Sequence, residues 1–440
     1  MEMIILDKKQ VFRFDRKYQI PSYKVCKGGP VQMTAKIKMI VLIPLLFFFL
    51  PLNFSYADDA SVLPKGIFKT QIIGKFYFTI DEKYGPGGGT EDVAADFNAV
   101  LDSDVFPFLS RVEEGFGLPT GFADIGTSVI SFDYDFNLYE FDFQYGVTDR
   151  LTIGIHIPYW DVKNNVDARV DNTNATVGAN PFLGTPGDPF GGAPLVPVAL
   201  GGVPLTTEQV QNLLVEQFGY KRIESWSGSG FSDIEAGLRY QYLKTDNWRL
   251  AFTGGVRIPS GEKDDPDDLM DYPLGTGAWA LLFNFNQDYI GIKNLVLNTT
   301  FRYELYLPDR EELRILYDVD KPITPFKEKV DRDYGDVIEL EVSGSYEFLQ
   351  GWNVSLLYKY GFAFETEIDG DMGYEYSSLE DETDYSEHVG IIGLSYSTIE
   401  LYKQKKFAVP LTASISYRNR FAGENTLKSE YIGLGLSLFF

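Results

Sequence analysis

The sequence predicts an all-β fold: a transmembrane antiparallel up-and-down β-barrel of about twelve strands, behind a cleaved N-terminal signal peptide. Segments that alternate large apolar residues with polar or small ones recur from about residue 122 to the end, as in strands with one apolar face. Most have ten or more residues, whereas strands of soluble sheets usually have about five or six. The connections alternate between short and long, which is typical of barrels that cross a membrane.

An export signal precedes the strands. An uncharged run over Met39–Leu52 follows two lysines, and the sequence SYA ending at Ala57 provides small residues before a cleavage point ahead of Asp58. A membrane anchor is the alternative, but the run is shorter than the ~20 residues of a spanning helix and contains prolines. Residues 1–32 fit neither role, so we interpret residues 1–57 as an over-extended start plus a signal peptide.

Charge and cysteine content exclude several classes of protein. The chain has 39 Lys and Arg against 63 Asp and Glu. Residues 1–57 contain nine of the basic and three of the acidic residues, so cleavage leaves a net charge of −30. Nucleic acid is therefore not expected as a partner, because its phosphates need basic residues. The single cysteine, Cys26, is lost with the leader, which excludes disulfides and thiol chemistry from the mature chain.

Twelve segments read as strands. In 352–367, for example, Val354, Leu356 and Tyr358 share one face, while Ser355 and Lys359 lie on the other. The predicted strands are roughly 125–136, 138–147, 150–162, 231–243, 248–260, 277–289, 294–307, 336–349, 352–367, 386–401, 409–421 and 430–440.

The connections sort by length, apart from a tight join near Asn137. The short ones are Thr148-Asp149, Lys244 to Asn247, Ile290 to Lys293, Gln350-Gly351 and Tyr402 to Ala408. The long ones are 163–230, 261–276, 308–335, 368–385 and 422–429. Residues 58–121 form an N-terminal arm or plug, and the barrel has fourteen strands if 66–80 pairs with a strand near 101–112.

The last strand ends on an aromatic residue. Leu436 and Leu438 alternate with small residues before Phe440, so we expect this face to touch outer-membrane lipid. A terminal aromatic residue on an alternating strand also resembles the sorting signal that the bacterial barrel-assembly machinery reads. The expected partners are therefore this machinery, membrane lipid and lipopolysaccharide.

The opposite face of the strands would line the lumen with charges. Either acidic and basic residues pair across a filled core, or water reaches them. Separate acidic and basic ladders in a water-filled pore would create a transverse field. The lumen-lining candidates are Asp133, Asp135, Glu140, Asp142, Asp233, Glu235, Arg239, Arg249, Arg257, Arg302, Glu304, Glu339, Glu341, Glu347, Lys359, Glu365, Arg418 and Arg420.

Loop 163–230 contains a predicted helix. Thr206 and Gln209 have the spacing of a capping box at its start. A short apolar stripe follows, made of Val210, Leu213, Leu214 and Phe218. This helix is either a lid or constriction at the external mouth, or a surface element packed on other loops.

Catalysis and tight metal binding are not expected. The only histidines are His156, predicted to face inward, and His388, predicted to lie solvated at a loop edge, and no catalytic motif accompanies them. The acidic loops 262–271 and 379–387 match no calcium-binding frame, so we expect them to be solvated. Loose Mg²⁺ or Ca²⁺ bridging to lipopolysaccharide is the alternative. No catalytic residue, metal site or cofactor is assigned.

Four stretches resemble the outer-membrane transporter family labelled for a meta-pathway of phenol degradation. They are YGVTDRLTIGIHIPYW (145–160), GSGFSDIEAGLRYQYL (228–243), LAFTGGVRIPSGE (250–262) and PLGTGAWALLFNF (273–285). Their order matches the family, while the long loop 163–230 and the N-terminal arm depart from it. The resemblance implies an outer-membrane channel or transporter for compounds such as hydrophobic or aromatic molecules. We expect a monomer that acts as a passive channel for small solutes. A structural or adhesive barrel with a filled lumen is the alternative.

Overall fold

A closed antiparallel barrel of twelve strands forms the body of the protein in the computed structural model, which describes residues 59–316, 323–374 and 376–440. The predicted leader lies outside the described residues. Each strand pairs with its neighbours in the chain, and the last pairs with the first to close the sheet. The strands are β1 (Phe68–Tyr77), β2 (Thr127–Thr148), β3 (Leu151–Asp171), β4 (Ile234–Lys244), β5 (Trp248–Ile258), β6 (Ala280–Ile292), β7 (Leu295–Tyr306), β8 (Val337–Leu349), β9 (Trp352–Ala363), β10 (Tyr385–Ser397), β11 (Leu411–Glu424) and β12 (Glu430–Phe439).

The two faces of the wall differ as the alternation predicts. On β12, Ile432, Leu434 and Leu436 are 38–49% exposed on the outer face, whereas Tyr431 points inward and is buried. A band of large apolar side chains on the outside suits the acyl chains of a bilayer. None of the helices in the described residues is long and apolar enough to cross a membrane.

The predicted join near Asn137 is wrong. β2 and β3 pair without a break from Thr127 opposite Asp171 to Gly146 opposite Thr152, so Asn137 lies in the middle of one long strand. The twelfth strand is β1, which pairs with β2 and β12. The predicted number of twelve strands is confirmed. The predicted strands 125–136 and 138–147 form a single strand, β2, and the segment 66–80 contributes the remaining strand, β1.

Once β1 and β2 are placed, connections at one end of the barrel are short and those at the other end are long, except that 398–410 is longer than 425–429. The short turns are residues 149–150, 245–247, 293–294, 350–351 and 398–410, and Gly351 permits the tight one at 350–351 with φ +80°. The long loops are 78–126, 172–233, 259–279, 307–336, 364–384 and 425–429. The predicted loop 163–230 begins later than expected, because β3 continues to Asp171.

The long loops build a cap with its own apolar core. Its helices are α1 (Leu109–Phe116) and α2 (Thr207–Leu213), and α3 (Ser377–Glu380) lies in a further loop. The region 101–112, which a fourteen-strand barrel would need as a strand, contains the first half of α1 instead. A fourth helix, α4 (Ile399–Lys403), lies at the short-turn end. The remaining strands are Glu82–Tyr84, Thr90–Asp92, Val177–Ala179, Leu195–Pro197, Trp226–Phe231, Asp309–Arg314, Lys327–Asp333, Glu367–Asp369 and Thr426–Leu427.

Candidate functional site: the lumen and its two ends

Charged side chains form a belt around the inner wall, in the half of the barrel nearer the long loops. Arg257 lies between Glu235 and Glu304, with nitrogen–oxygen distances of 2.7 Å to each. Lys359 lies in the same way between Glu339, at 2.6 Å, and Glu387, at 2.7 Å. We call this set the charge belt: Lys75, Glu140, Asp142, His156, Glu235, Arg257, Arg302, Glu304, Glu339, Glu341, Lys359, Glu387, Arg418 and Arg420.

Positive and negative charges alternate along the belt, and each pair joins neighbouring or nearby strands. Glu387 shows this most clearly, because it meets Arg420 at 2.7 Å and Arg418 at 3.3 Å as well as Lys359. The acidic and basic residues therefore do not form the separate ladders that a transverse field requires. The pairs run along the wall, between strands that are neighbours or nearly so.

Most of the predicted lumen-lining residues do lie on the inner face. In each case the pairing register places the residue beside an inward-facing neighbour, as Arg302 lies beside Glu339. The inward-facing candidates are Glu140, Asp142, Glu235, Arg239, Arg249, Arg257, Arg302, Glu304, Glu339, Glu341, Glu347, Lys359, Arg418 and Arg420.

Asp133 and Asp135 are on the opposite face of β2 from Glu140 and Asp142, so their prediction as lumen residues is wrong. The carboxylates of both reach Asn165 on the outer side of the wall. The error follows from the assumed join near Asn137: a break there would reset the alternation, whereas an unbroken strand puts odd and even positions on opposite faces.

Two further candidates are outside the pore wall. Asp233 lies between Trp226–Phe231 and β4, where its carboxylate accepts backbone hydrogen bonds from Ser260 at 3.1 Å, Gly261 at 3.0 Å and Thr276 at 2.8 Å. It therefore ties together three of the stretches that carry the family resemblance. Glu365 follows the end of β9 and is exposed.

Glu387, predicted to be solvated in the acidic loop 379–387, and His388, predicted to lie at a loop edge, both lie within a strand. The predicted solvated loop edge is part of β10, where Glu387 faces inward and is 4% exposed. His388 faces outward, and its Nδ1 lies 2.7 Å from the hydroxyl of Tyr358. The signal was present in the sequence, since Glu387 shares its alternation with Val389 and Ile391.

An N-terminal segment occupies the half of the lumen nearer the short turns. The backbone N–H of the fully buried Ala60 donates to both carboxylate oxygens of Asp288 on β6, at 3.1 Å each. The side chain of Gln241 donates to the Ala60 carbonyl at 2.7 Å, and Arg239 donates to the Asp59 carbonyl at 2.9 Å. Residues 59–63, here called the inner segment, are thus bound to the inner wall.

Aromatic rings descend the inner face of β2 from the cap to the charge belt. Successive ring centroids lie 5.5, 5.6, 5.3, 5.9 and 4.9 Å apart, within the range of favourable aromatic contacts. We call this set the aromatic column: Phe97, Phe132, Tyr134, Phe136, Tyr77 and Tyr431. Tyr272 from loop 259–279 covers the column, with its ring 4.9 Å from Phe136.

The predicted helix of the long loop lies in the cap. Thr206 and Gln209 form the expected capping box, in which Gln209 accepts from the Thr206 backbone N–H at 2.8 Å. The stripe of Val210, Leu214 and Phe218 is buried in an apolar core with residues of loop 78–126, and Leu213 packs against that core. The helix therefore packs on other loops of the cap.

A buried arginine joins three of the long loops. Arg314 donates to the carbonyls of Phe218, Gly219 and Thr324 at 2.7–2.8 Å, and to the carboxylate of Asp267 at 2.6 Å. Its guanidinium carbon lies 3.7 Å from the centre of the Tyr220 ring. Such a planar donor group can satisfy several carbonyls at once, so Arg314 holds the cap in one arrangement.

The fold is similar to that of solved outer-membrane proteins. An outer membrane channel from Pseudomonas putida F1 matches with a TM-score of 0.50 and 13% identity, over 87% of this chain and 99% of that one. A FadL homologue from Pseudomonas aeruginosa matches at 0.32 and 12% over 86% and 90%, and the Pseudomonas putida toluene transporter TodX at 0.33 and 12% over 86% and 89%. The last two scores are too low to support an argument.

Sequence comparison identifies the family. No curated protein matches the chain. The model of the family described as "Putative MetA-pathway of phenol degradation" matches residues 120–434, which include ten of the twelve barrel strands wholly and the first half of β12. The chain therefore belongs to this family, and its closed barrel is an outer-membrane β-barrel.

Proposed function

We propose that this protein is a passive channel that admits small solutes across the outer membrane. The observation that carries the proposal is the partial exposure of the charge belt: the side chains of His156, Glu235, Arg302 and Lys75 are 22–30% accessible although they point into the barrel. Charges are stable there because water can reach them, and a solvated lumen is what a polar solute needs. The P. putida F1 relative, described as an outer membrane channel, supports the same class.

A barrel with a filled, non-conducting lumen is the second candidate. It is favoured by the drier part of the belt, where the side chains of Glu387 and Arg418 are 6% and 9% exposed and fully paired. Such a protein would have a structural or adhesive role through its long acidic loops. The exposed belt residues favour the channel.

The proposal assigns no catalytic step to the lumen. The contacts of the inward-facing histidine are carboxylates, with Asp142 at 2.8 Å and Glu140 at 3.9 Å. These neighbours hold the imidazole by hydrogen bonding and charge, which places His156 among the paired groups of the belt.

Conductance of the refolded chain 58–440 in planar bilayers, with salt gradients to measure reversal potentials, tests the proposal. We expect discrete current steps with cation preference, because acidic residues outnumber basic ones in the mature chain. Deletion of residues 174–220 tests whether Val210, Leu213, Leu214 and Phe218 act as a lid, since removal of a lid raises conductance. Silence from both proteins, each inserted and folded, would favour the filled barrel.

We also propose that the chain inserts as a monomer through the barrel-assembly machinery. Phe440 is 65% exposed beside the seam, where its N–H donates to the carbonyl of Phe68 at 2.8 Å. Leu436 and Leu438 lie on the same outer face of β12. Removal of Phe440 should lower the amount of protein assembled in cells while leaving refolding into detergent unchanged. Equal assembly of both chains would contradict a signal role.

A further inference from the structure

The end of the barrel that carries the short turns is basic, although the chain as a whole has a formal net charge of −24. Lys65, which precedes β1, also lies at this end, because its backbone N–H donates to the Asp149 carboxylate at 3.1 Å. In these turns and the residues that flank them, seven basic and three acidic side chains are exposed. They are Lys65, Arg150, Lys244, Lys293, Lys403, Lys405 and Lys406 against Asp149, Asp246 and Glu400.

Turn 398–410 contains three of these lysines and is the longest connection at this end. The fully buried Thr398 closes it: its hydroxyl donates to the Val409 carbonyl at 2.6 Å and accepts from the Leu411 N–H at 2.9 Å. Helix α4 lies between these two points. The turn is therefore a folded element, tied to the ends of β10 and β11, that holds its lysines in defined positions.

Lys405 occupies a backbone position that favours glycine. Its φ is +57°, and the backbone N–H groups of Lys405 and Lys406 donate to the carbonyls of Tyr402 and Leu401, at 2.8 Å each. This is the hydrogen-bond pattern of a helix that ends in a left-handed residue, which is usually glycine because a side chain there is strained. A lysine at this position keeps a positive charge at the tip of the turn despite that strain.

Acidic residues compensate these lysines only weakly. Lys403 forms an ion pair with Glu400 at 2.7 Å, but both side chains are more than 60% exposed, and water weakens such pairs. Lys405 and Lys406 form no ion pair with any residue that the structure describes. The three ammonium groups can therefore meet an anionic partner from outside the chain.

Apolar side chains are interleaved with the lysines. Tyr402, Phe407 and Val409 are 47%, 41% and 40% exposed. Lysines mixed with exposed aromatic and aliphatic residues are typical of segments in the interface of a bilayer, where apolar groups reach the acyl chains and ammonium groups meet phosphates. A polar polyanion would balance the charges but leave these apolar side chains in water. An anionic lipid matches both features.

The position of the turn also fits phospholipid headgroups. Two aromatic pairs mark the edge of the lipid-facing wall at this end, Trp248 with Tyr289 and Trp352 with Tyr396, each with ring centroids 4.8 Å apart. Thr398 follows Tyr396 by two residues, so the turn begins about 7 Å beyond this girdle. Short turns of outer-membrane barrels face the periplasm, so these headgroups belong to the periplasmic leaflet.

We propose that turn 398–410 binds anionic phospholipid headgroups of the periplasmic leaflet. Lys403, Lys405 and Lys406 contact the phosphates, while Tyr402 and Phe407 enter the interface. The other basic residues at this end extend the attraction around the rim of the barrel. This lipid binding is separate from transport and does not depend on whether the lumen conducts.

Native mass spectrometry of lipid retention tests the site, with chain 58–440 refolded in detergent and offered phosphatidylglycerol or phosphatidylcholine with the same acyl chains. The test variant is Lys403→Gln/Lys405→Gln/Lys406→Gln, and a second variant has arginine at the same three positions, which keeps the charge. The matched control makes the same change of charge at three exposed lysines of the long loops, as Lys221→Gln/Lys263→Gln/Lys329→Gln. The mobility of unheated protein in gel electrophoresis checks that each one is folded.

We expect the wild type, the arginine variant and the control to bind phosphatidylglycerol at least about tenfold more tightly than phosphatidylcholine, because each lysine near a phosphate adds attraction. The glutamine variant should bind the two lipids within about twofold of each other. A rise to about 0.5 M salt should weaken the preference of the wild type, since salt screens exposed charges. Lys405→Gly removes one charge and relieves the strained backbone, so it should reduce the preference without loss of stability, and it serves if the triple variant fails to fold.

An equal preference for phosphatidylglycerol in the wild type and the folded glutamine variant would overturn the site. An equal loss of preference in the control would also overturn it, because the effect would then belong to overall charge. Isolated peptidoglycan, offered to the same proteins, tests the other anionic polymer of the periplasm. Binding of peptidoglycan that the glutamine variant loses, with no preference between the two lipids, would overturn the lipid as the partner.

Discussion

The backbone N–H of Ala60 donates to the carboxylate of Asp288 inside the barrel, 228 residues along the chain. Asp288 is fully buried and also accepts from the Asn298 side chain at 2.8 Å. A carboxylate out of contact with solvent needs such donors, so the inner segment and the wall stabilise each other. Residues 59–63 thereby occupy the lumen at the side opposite the cap.

Deletion of residues 59–63 should raise single-channel conductance, because the inner segment narrows the lumen. Pores without an internal segment are wider for the same number of strands, and we expect an increase of at least about twofold. Planar-bilayer recording of the shortened chain measures it. Asp288→Ala should act in the same direction, whereas Asp246→Ala in an exposed short turn should not. An unchanged conductance in the deletion would show that the segment does not limit the current.

Arg314→Ala should loosen the cap and leave the barrel intact. The substitution leaves five loop acceptors, among them the Pro266 carbonyl, without their buried donor, which costs about 3 kcal/mol of cap stability. We expect faster trypsin cleavage after Lys221 and Arg222, measured on folded protein in detergent. Arg310→Ala is the control, because Arg310 lies on the same short strand in an exposed ion pair with Asp331. Equal cleavage of the two variants would contradict the role of Arg314.

Glu387→Gln should shift ion selectivity towards anions. The carboxylate of Glu387 forms ion pairs with Lys359, Arg418 and Arg420. Because the substitution removes this negative charge, the positive charge of the three residues is less balanced and the lumen attracts anions more strongly. Reversal potentials in a salt gradient measure the shift. Glu365→Gln makes the same change of charge at an exposed residue beyond β9 and should leave the potential close to that of the wild type. If both variants shift it equally, the effect belongs to overall charge and not to the belt.

The folded cap should be more stable against local unfolding at pH 5 than at pH 8. Burial, together with the negative charge of Asp264, raises the pKa of Asp271 in loop 259–279 to about 7 from an ordinary value of 3.8. The folded cap therefore binds this proton more strongly than the unfolded cap does. The stability that the proton provides is complete below pH 3.8 and is lost as the pH rises through about 7.

Trypsin cleavage of the cap, corrected for the pH dependence of the protease on an unfolded substrate, measures this effect. Asp271→Asn should keep the cap as resistant at pH 8 as at pH 5, because the amide cannot lose a proton there. Glu262→Gln, an exposed acid in the same loop, should retain the wild-type pH dependence. A pH dependence that persists in Asp271→Asn would assign it to other groups.

Local alternation was sufficient to predict the barrel and most of the inner face. In β7, Arg302 and Glu304 share a face because side chains in any strand alternate with a period of two. The lengths of most connections indicate on which side of the membrane each connection lies. This pattern, like the alternation, depends only on residues that are close in sequence. The outer face of β12, with Leu436 and Leu438, was predicted in this way.

Predictions that depended on pairing between distant segments failed. Asp133 and Asp135 were placed on the wrong face because nothing near Asn137 reveals that β2 continues opposite β3. The segment that contains Ile72 and Phe76 forms a strand because its backbone pairs with β12 on one side and with β2 on the other.

The amino-acid sequence by itself determined that apolar and polar residues alternate along the strands, that the chain is exported and that it forms a barrel. These properties follow from composition and from residues that are near each other in sequence. Tertiary structure alone decided what fills the barrel. The contacts of Ala60 with Asp288, of Arg314 with Tyr220, and of Glu387 with three cations join residues from separate strands and loops. Their energies depend on burial and on distances of a few ångströms, which are fixed only when the sheet closes and brings those segments together.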